Sequence, residues 1–291
     1  MLWIVTTLIA ATAQTGRNAA QAGLTARIGT AGATAVRFIF GLPFALAVLV
    51  AASWLAPIPI PGATSLGWAA MGGLSQIFAT GFLLMAMAGR GFGIATALSK
   101  TEPVTLALIG TLALSEPLGW ARLGAIVTAV AGVLLVSGTD WSRAGLRSVA
   151  HGLAAGALFG LSAIGFRGAI LALPDGSQFI RALTILAMGL AIQTCVALAW
   201  LAWRDRPALS GIARDWRQSL AAGALGAFAS LFWFWGFALT SAANVRTLAL
   251  IEVPFAQLVS GRIFRQRAAP RQLVGMALIT LGVGWLLAVA I

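Results

Sequence analysis

Ten apolar stretches, joined by short connections, divide this chain from one end to the other: residues 2–22, 30–55, 65–88, 92–114, 120–137, 151–171, 179–203, 218–240, 243–264 and 271–290. About 20 apolar residues are enough for a helix to cross the hydrocarbon layer of a bilayer. The connections carry turn chemistry: Pro57, Pro59, Pro61 and Gly62; Pro117 and Gly119; Pro174, Asp175 and Gly176. In lipid every backbone N–H and C=O must be satisfied inside the spanning structure, which leaves helices or a closed barrel. The alternation that barrel strands require is absent, so the spans are helices. Of 291 residues, 60% are hydrophobic and only 9% charged, a surface no soluble domain of this size could carry.

The net charge of +12 comes almost wholly from arginine, since Lys100 is the only lysine. The arginines sit mainly in the connections, where they act as topology signals at the headgroups. No basic helix or stripe stands clear of the membrane, which excludes nucleic acid as a partner. Cys195 is the single cysteine, so no internal disulfide forms; its apolar neighbours point to core packing. With one histidine, His151, and no clustered carboxylates, there is no metal site. No nucleophile-and-base pattern, phosphate loop or dinucleotide fingerprint implies an enzyme or a cofactor. Residues 1–15 resemble a signal peptide at Ala11-Thr12-Ala13 but lack a positive leading region. They are expected to stay as the first helix.

Comparison of the chain with itself exposes a repeat. At an offset of 144, Gly16 meets Gly160, Asn18 meets Ser162 and Arg37 meets Arg181. At 150, Gly73 meets Gly223, Phe82 meets Phe232 and Glu102 meets Glu252. At 151, Pro103 meets Pro254, Gly110 meets Gly261 and Gly124 meets Gly275. Each half holds five spans, and an odd number forces the second copy to enter the membrane the other way up. Inverted repeats of this kind place substrate near the midplane and support alternating access.

Glu102 and Glu252 are the acids that fall inside apolar stretches; Glu116, Asp140, Asp175, Asp205 and Asp215 lie at segment ends or in loops. A carboxylate at membrane depth is costly unless it faces a cavity or a partner, and by default marks a functional pathway. Both stand just before a helix proline, Pro103 and Pro254, where a kink is expected. Either glutamate is a candidate proton carrier, or a structural carboxylate held by an intramembrane cation. Glu102 is also a candidate contact for a substrate amine. Lys100, two residues away, lies on another helix face. It is expected to snorkel, to pair elsewhere or to meet a substrate carboxylate. Arg17, Arg37, Arg167 and Arg246 lie near predicted span ends and are expected to anchor at the interface.

Ala35-Val36-Arg37-Phe38, Ser99-Lys100-Thr101-Glu102-Pro103, Leu114-Ser115-Glu116-Pro117-Leu118 and Ile251-Glu252-Val253-Pro254 together resemble the drug/metabolite transporter superfamily. Within it the ten-helix EamA-type branch is the nearest in pattern, over essentially the whole chain. The second half departs from it, since Arg265, Gln266 and Arg267 replace the turn that holds Glu116. The resemblance implies an all-α integral membrane fold: ten transmembrane helices built from two inverted five-helix repeats, residues 1–138 and 150–291. It also implies a secondary transporter that exports small metabolites, amino acids in particular, through a central cavity. Another solute, such as a drug, a sugar or a nucleotide derivative, is the alternative, and a membrane enzyme the remote one. The partners are then a small-molecule substrate and the lipid bilayer, with protons as a candidate coupling ion and the oligomeric state open.

The candidate substrate-binding residues are Gln14, Asn18, Gln76, Phe78, Phe82, Ser99, Glu102, Ser162, Phe166, Trp233, Trp235 and Asn244. Gln14 and Asn18 share a helix face at i,i+4, and Ser162 repeats the Asn18 position. Interhelical hydrogen bonds are the competing role for the polar members. Packing or lipid contact is the competing role for the aromatic ones. Fourteen of the eighteen arginines lie on or border the face reached by the odd-numbered connections; Arg122, Arg167, Arg181 and Arg246 lie opposite. Positive residues in short loops stay cytoplasmic, so both termini are expected outside an inner membrane.

Overall fold

The computed structural model describes residues 1–87, 97–137, 146–255 and 269–290; the side chains of 18–23, 25–26, 84 and 86–87 are outside the description as well. The regular structure of the described residues is helical. It comprises α1 (Leu2–Ile39), α2 (Gly41–Ser53), α3 (Ala63–Met87), α4 (Glu102–Leu114), α5 (Trp120–Val136) and α6 (Leu146–Leu171), followed by α7 (Gln178–Arg204), α8 (Arg206–Arg214), α9 (Trp216–Leu239), α10 (Ala242–Ala249) and α11 (Pro270–Ala290). Five stretches are long and apolar enough to cross a membrane: Arg27–Ser53, Leu146–Leu171, Gln178–Arg204, Trp216–Leu239 and Pro270–Ala290.

The chain forms two compact units, Leu2–Gly73 with Gly165–Leu239 and Leu74–Ile164 with Thr240–Ile291. We call them the arginine unit and the glutamate unit after the charges each carries inside its apolar helices. Their boundaries fall within α3 and α6, so each unit draws on both sequence repeats.

In the arginine unit α1 carries the first predicted span and the start of the second, turned at Gly29, whose φ of 70° and ψ of 171° only glycine adopts without strain, and α2 completes the second. No loop separates the two spans. α9 packs along α1. The connection between the seventh and eighth spans, a loop by its sequence pattern, folds as α8. The Asp205 carboxylate caps it by accepting the Ala208 N–H (3.2 Å). Pro207 supplies the pre-set φ of the first turn. Its buried residues Ala208 and Ile212, one turn apart, join Leu24, Ile28, Val36, Leu201 and Ala222 in a common core.

In the glutamate unit two helices break at matching places. Residues 97–99 are helical, Lys100 and Thr101 form a turn, and the helix restarts at Glu102 with Pro103 in its first turn. In the second repeat α10 ends, Leu250 and Ile251 form a turn, and helix restarts at Glu252. The turns use the same hydrogen bonds at an offset of 150: Lys100 N–H to Ala97 O and Thr101 N–H to Leu98 O, against Leu250 N–H to Thr247 O and Ile251 N–H to Leu248 O. The repeat seen in sequence is therefore repeated in backbone geometry. α10 packs against α4, and α5 against α11. The α5–α11 contact is so close that a Cβ on Gly132 would meet the Gly275 carbonyl at 2.6 Å. The Gly152, Gly156 and Gly160 stripe of α6 behaves as a seam: a Cβ on Gly156 would come within 2.9 Å of the Leu98 carbonyl.

Candidate functional site

The restart of each broken helix fixes its glutamate at a helix N-terminus, where the backbone dipole favours negative charge. Each glutamate then meets a cation from the other repeat. The Lys100 ammonium donates to the Glu252 carboxylate, and Arg246 Nε lies 3.2 Å from Glu102 Oε1. The Glu102–Arg246 pair is the more enclosed, with side chains 13% and 18% exposed against 24% for Glu252 and 32% for Lys100. Removing one member of a buried pair costs about 3–5 kcal/mol, because the survivor is left charged and uncompensated. Of the roles open to Lys100 from sequence, snorkelling to the interface is therefore not the one adopted. It is pairing, with an acid 152 residues away.

The glutamate unit holds further polar candidates. Asn244 Nδ2 donates to Thr240 Oγ1 (3.0 Å). Its Oδ1, like the Ser162 hydroxyl, is buried without a hydrogen-bond partner among the described residues. Both atoms are open to a ligand or a water, since buried polar atoms seldom stay unmatched. Gln76 and Ser99 are half-buried and engaged in interactions of their own. The Phe82 ring lies 5.7 Å from that of His151, while Phe78 is 60% exposed on the surface of its unit.

The arginine unit holds a different constellation. Trp233 Nε1 donates to Gln14 Oε1 (3.1 Å). One turn on from Gln14, the Arg17 stem meets that of Arg37 over Gly226, where a Cβ would be 3.3 Å from both Arg17 Cδ and Arg37 Cγ. Arg17 is only 8% exposed, and the Arg37 guanidinium stands 5.2 Å from the centroid of the Phe38 ring. Because the first span runs on to Gly29, Arg17 lies twelve residues from its end, about 18 Å along the helix. That sets it deep within the helix. The Asn18 side chain falls outside the described residues.

The expected interfacial anchors thus turn inward. Arg17 and Arg37 pack over Gly226, Arg167 Nη1 donates to the Phe237 carbonyl, and Arg246 meets Glu102. The reason is shared: an arginine away from the headgroups must find acceptors in the protein. Phe166 is buried in the core of the arginine unit, its ring 4.5 Å from Phe234. Trp235 lies edge-on to Phe179 at 5.0 Å. Cys195, expected in the core, is exposed on α7, because a small polarizable thiol suits a lipid-facing position as well as a packed one. Arg246 is the participant that sequence reasoning missed. Its signal was a lone cation six residues before Glu252 in the span equivalent to that of Lys100 and Glu102.

Comparison with known proteins agrees with this architecture. The profile described as "EamA-like transporter family" matches twice, over residues 1–138 and 148–288. No curated protein matches the chain. A solved structure described as "Crystal structure of protein" superimposes with a TM-score of 0.70, covering 98% of each chain at 16% identity, which is a likeness of fold. The fold is all-α and membrane-embedded, ten transmembrane helices in two inverted five-helix repeats. The protein is a multi-pass membrane transporter of small solutes. The chain belongs to the EamA-like transporter family.

Proposed function

We propose that the protein exports amino acids, aromatic and hydrophobic ones included, from the cell across the inner membrane by alternating access. The observation that carries the proposal is the exchange of ion pairs between repeats at the two helix breaks. Inverted repeats alternate by trading conformations, and a contact that joins them is one that such a trade must open. Opening strands two cations and two carboxylates. A zwitterion answers both signs at once: its ammonium meets Glu102 or Glu252, its carboxylate Lys100 or Arg246, and no net charge accumulates. Asn244 Oδ1 and the Ser162 hydroxyl are further acceptors for an ammonium, supported by Gln76 and Ser99. Phe78 and Phe82 of the glutamate unit give the side chain an apolar surface. Gln14, Asn18, Trp233 and Trp235 are the corresponding candidates in the arginine unit, with Phe166 holding them from the core. The convergence of Arg17 and Arg37 on Gly226 favours a second reading, in which the transported solute is an organic anion.

A glutamate released from its cation can bind a proton instead of staying charged in apolar surroundings, which makes Glu102 and Glu252 the candidate coupling groups. Proteoliposomes under an imposed pH difference, supplied with amino acids, organic anions and sugars, test both solute and coupling. We expect amino acids to accumulate. Glu102→Gln should abolish gradient-driven accumulation, with Glu252→Gln less complete because its pair is the more open of the two. A double glutamine variant that still concentrates substrate removes both glutamates as carriers. A wild type that only runs downhill makes the protein a facilitator.

The orientation proposal keeps both termini outside. Of the four arginines on the sparse face, Arg122, Arg167 and Arg181 donate to carbonyls and Arg246 is ion-paired with a carboxylate, so contacts within the protein engage all four. Single cysteines at Thr64 and Ser210, both exposed, in a Cys195-free background should react oppositely with an impermeant thiol reagent on intact cells. Labelling is expected at position 64, and labelling at 210 alone reverses the topology.

A further inference from the structure

Where α7 gives way to α9, the arginine unit gathers five arginines, Arg27, Arg204, Arg206, Arg214 and Arg217, against two aspartates, Asp205 and Asp215. Both acids are already committed. Asp205 caps α8 through the Ala208 N–H, and Asp215 is paired with Arg27 at 3.2 Å. Arg206 Nε donates to the Ala202 carbonyl. That leaves Arg204, Arg214 and Arg217 as cations with no carboxylate partner among the described residues.

Two of these are held in a particular way. The Arg204 guanidinium stacks 4.5 Å from the Trp203 ring centroid, and Arg217 stands 5.4 Å from that of Trp216. Stacking occupies the face of a guanidinium and leaves its N–H donors, which lie in the plane, directed outward. Arg214, Asp215, Trp216, Arg217 and Gln218 line an open cavity of about 310 Å³, large enough for a phosphate with its glycerol. α8 cannot lie down into lipid, because its apolar residues Ala208 and Ile212 are spent on the core below it. The polar side faces outward at the ends of two membrane-length helices, at the level where lipid phosphates and tryptophan side chains lie.

We infer that this end of the arginine unit binds the phosphodiester headgroup of an anionic phospholipid, with Arg214 and Arg217 as the clamp and Trp216 as its platform. A bidentate guanidinium–phosphate contact is geometrically specific. A patch that served topology alone would need neither the stacking nor the cavity. Arg204, stacked on the neighbouring Trp203, adds long-range attraction.

The test uses the full chain, purified in detergent and offered phosphatidylglycerol or phosphatidylcholine, with retained lipid read by native mass spectrometry. Wild type should hold phosphatidylglycerol in preference. Arg214→Gln with Arg217→Gln should weaken retention by about five-fold per arginine, roughly 25-fold together, while Arg122→Gln, the loss of a single arginine charge elsewhere, leaves it intact. Competition with inorganic phosphate and glycerol phosphate separates the sources: the lipid should resist both. Equal retention of the two lipids by wild type overturns the site. So does a double variant that binds like wild type, or displacement of the lipid by the soluble phosphates at comparable concentration. Should the double variant fail to fold, Trp216→Ala and the wild-type competition decide the matter in its place, the first by loss of preference and the second directly.

Discussion

The two units handle buried charge in opposite ways. In the glutamate unit Lys100 and Arg246 each meet a carboxylate, both partners stand at or near a helix break, and each pair ties one repeat to the other. In the arginine unit the carboxylate pair, Arg27 with Asp215, lies at helix ends, whereas Arg167 donates to the Phe237 carbonyl, Arg181 to that of Leu173, and Arg37 stands beside the Phe38 ring. Of its acids, Asp205 and Asp215 lie at helix ends and Asp175 in the connection between α6 and α7. A guanidinium on a carbonyl fastens a helix terminus. A salt bridge at a helix break can open and offer two charged groups at once. The difference assigns support to the one and switching to the other.

The sharpest way to break that assignment is to truncate a cation in each unit. Arg246→Ala leaves Glu102 charged and uncompensated, and should destabilise the protein by about 3–5 kcal/mol, read as loss of thermal stability in detergent. Reversing the pair, with Glu102→Arg and Arg246→Glu together, should restore most of this. A remainder of about 0.3–1 kcal/mol should persist, because an arginine then sits at the N-terminus of α4 against the helix dipole. A double variant no better than Arg246→Ala alone would show that the pair is incidental.

Arg167→Ala is the matching experiment in the arginine unit. It removes a charged donor from the Phe237 carbonyl, so the loss should be nearer 1.5–3 kcal/mol, roughly what a hydrogen bond to a charged group contributes. Transport by the surviving folded protein should keep its pH dependence. If Arg167→Ala instead changes the response to a pH gradient while Arg246→Ala does not, the roles of the two units are exchanged.

Much of this is legible in the sequence. The apolar stretches 65–88, 120–137, 151–171 and 271–290 each hold a described helix, whereas 92–96 of the fourth and 256–264 of the ninth lie outside the described residues. Glu102 and Glu252 do stand at equivalent points, since the offset of 150 that aligns them also aligns the turns before them. Pairing is what the sequence hides. Helix geometry rightly refuses Lys100 as a partner for Glu102, its neighbour across the helix break; its actual partner is 152 residues distant, and no periodicity reports such a contact. The depth of Arg17 is hidden for a local reason. Gln14, Thr15, Arg17 and Asn18 dilute the hydropathy of the first span, so its apolar signal ends near residue 22, when the helix runs to the turn at Gly29. α8 is hard to read because nine residues with only two on the buried face give a weak pattern. Its signal is Asp205 two residues before Pro207, a capping residue followed by a first-turn proline.

The finest probe of the comparison is Gly226, where the arginine stems cross. A methyl there would sit 3.3 Å from Arg17 Cδ and Arg37 Cγ, tight but against the flexible parts of long side chains. Overpacking of a core commonly costs about 1–3 kcal/mol, and movable methylenes put Gly226→Ala at the low end, about 1 kcal/mol. Its effect on function separates two roles for the arginines. As support alone they can shift by tenths of an ångström without consequence, and transport by the variant should match wild type for every solute. If they hold a substrate carboxylate, the same shift misplaces two guanidiniums at once, and the half-saturation concentration should rise several-fold while the maximal rate holds. A change confined to organic anions would move the binding role to the arginine unit. An unchanged panel would leave recognition with the charged pairs of α4 and α10.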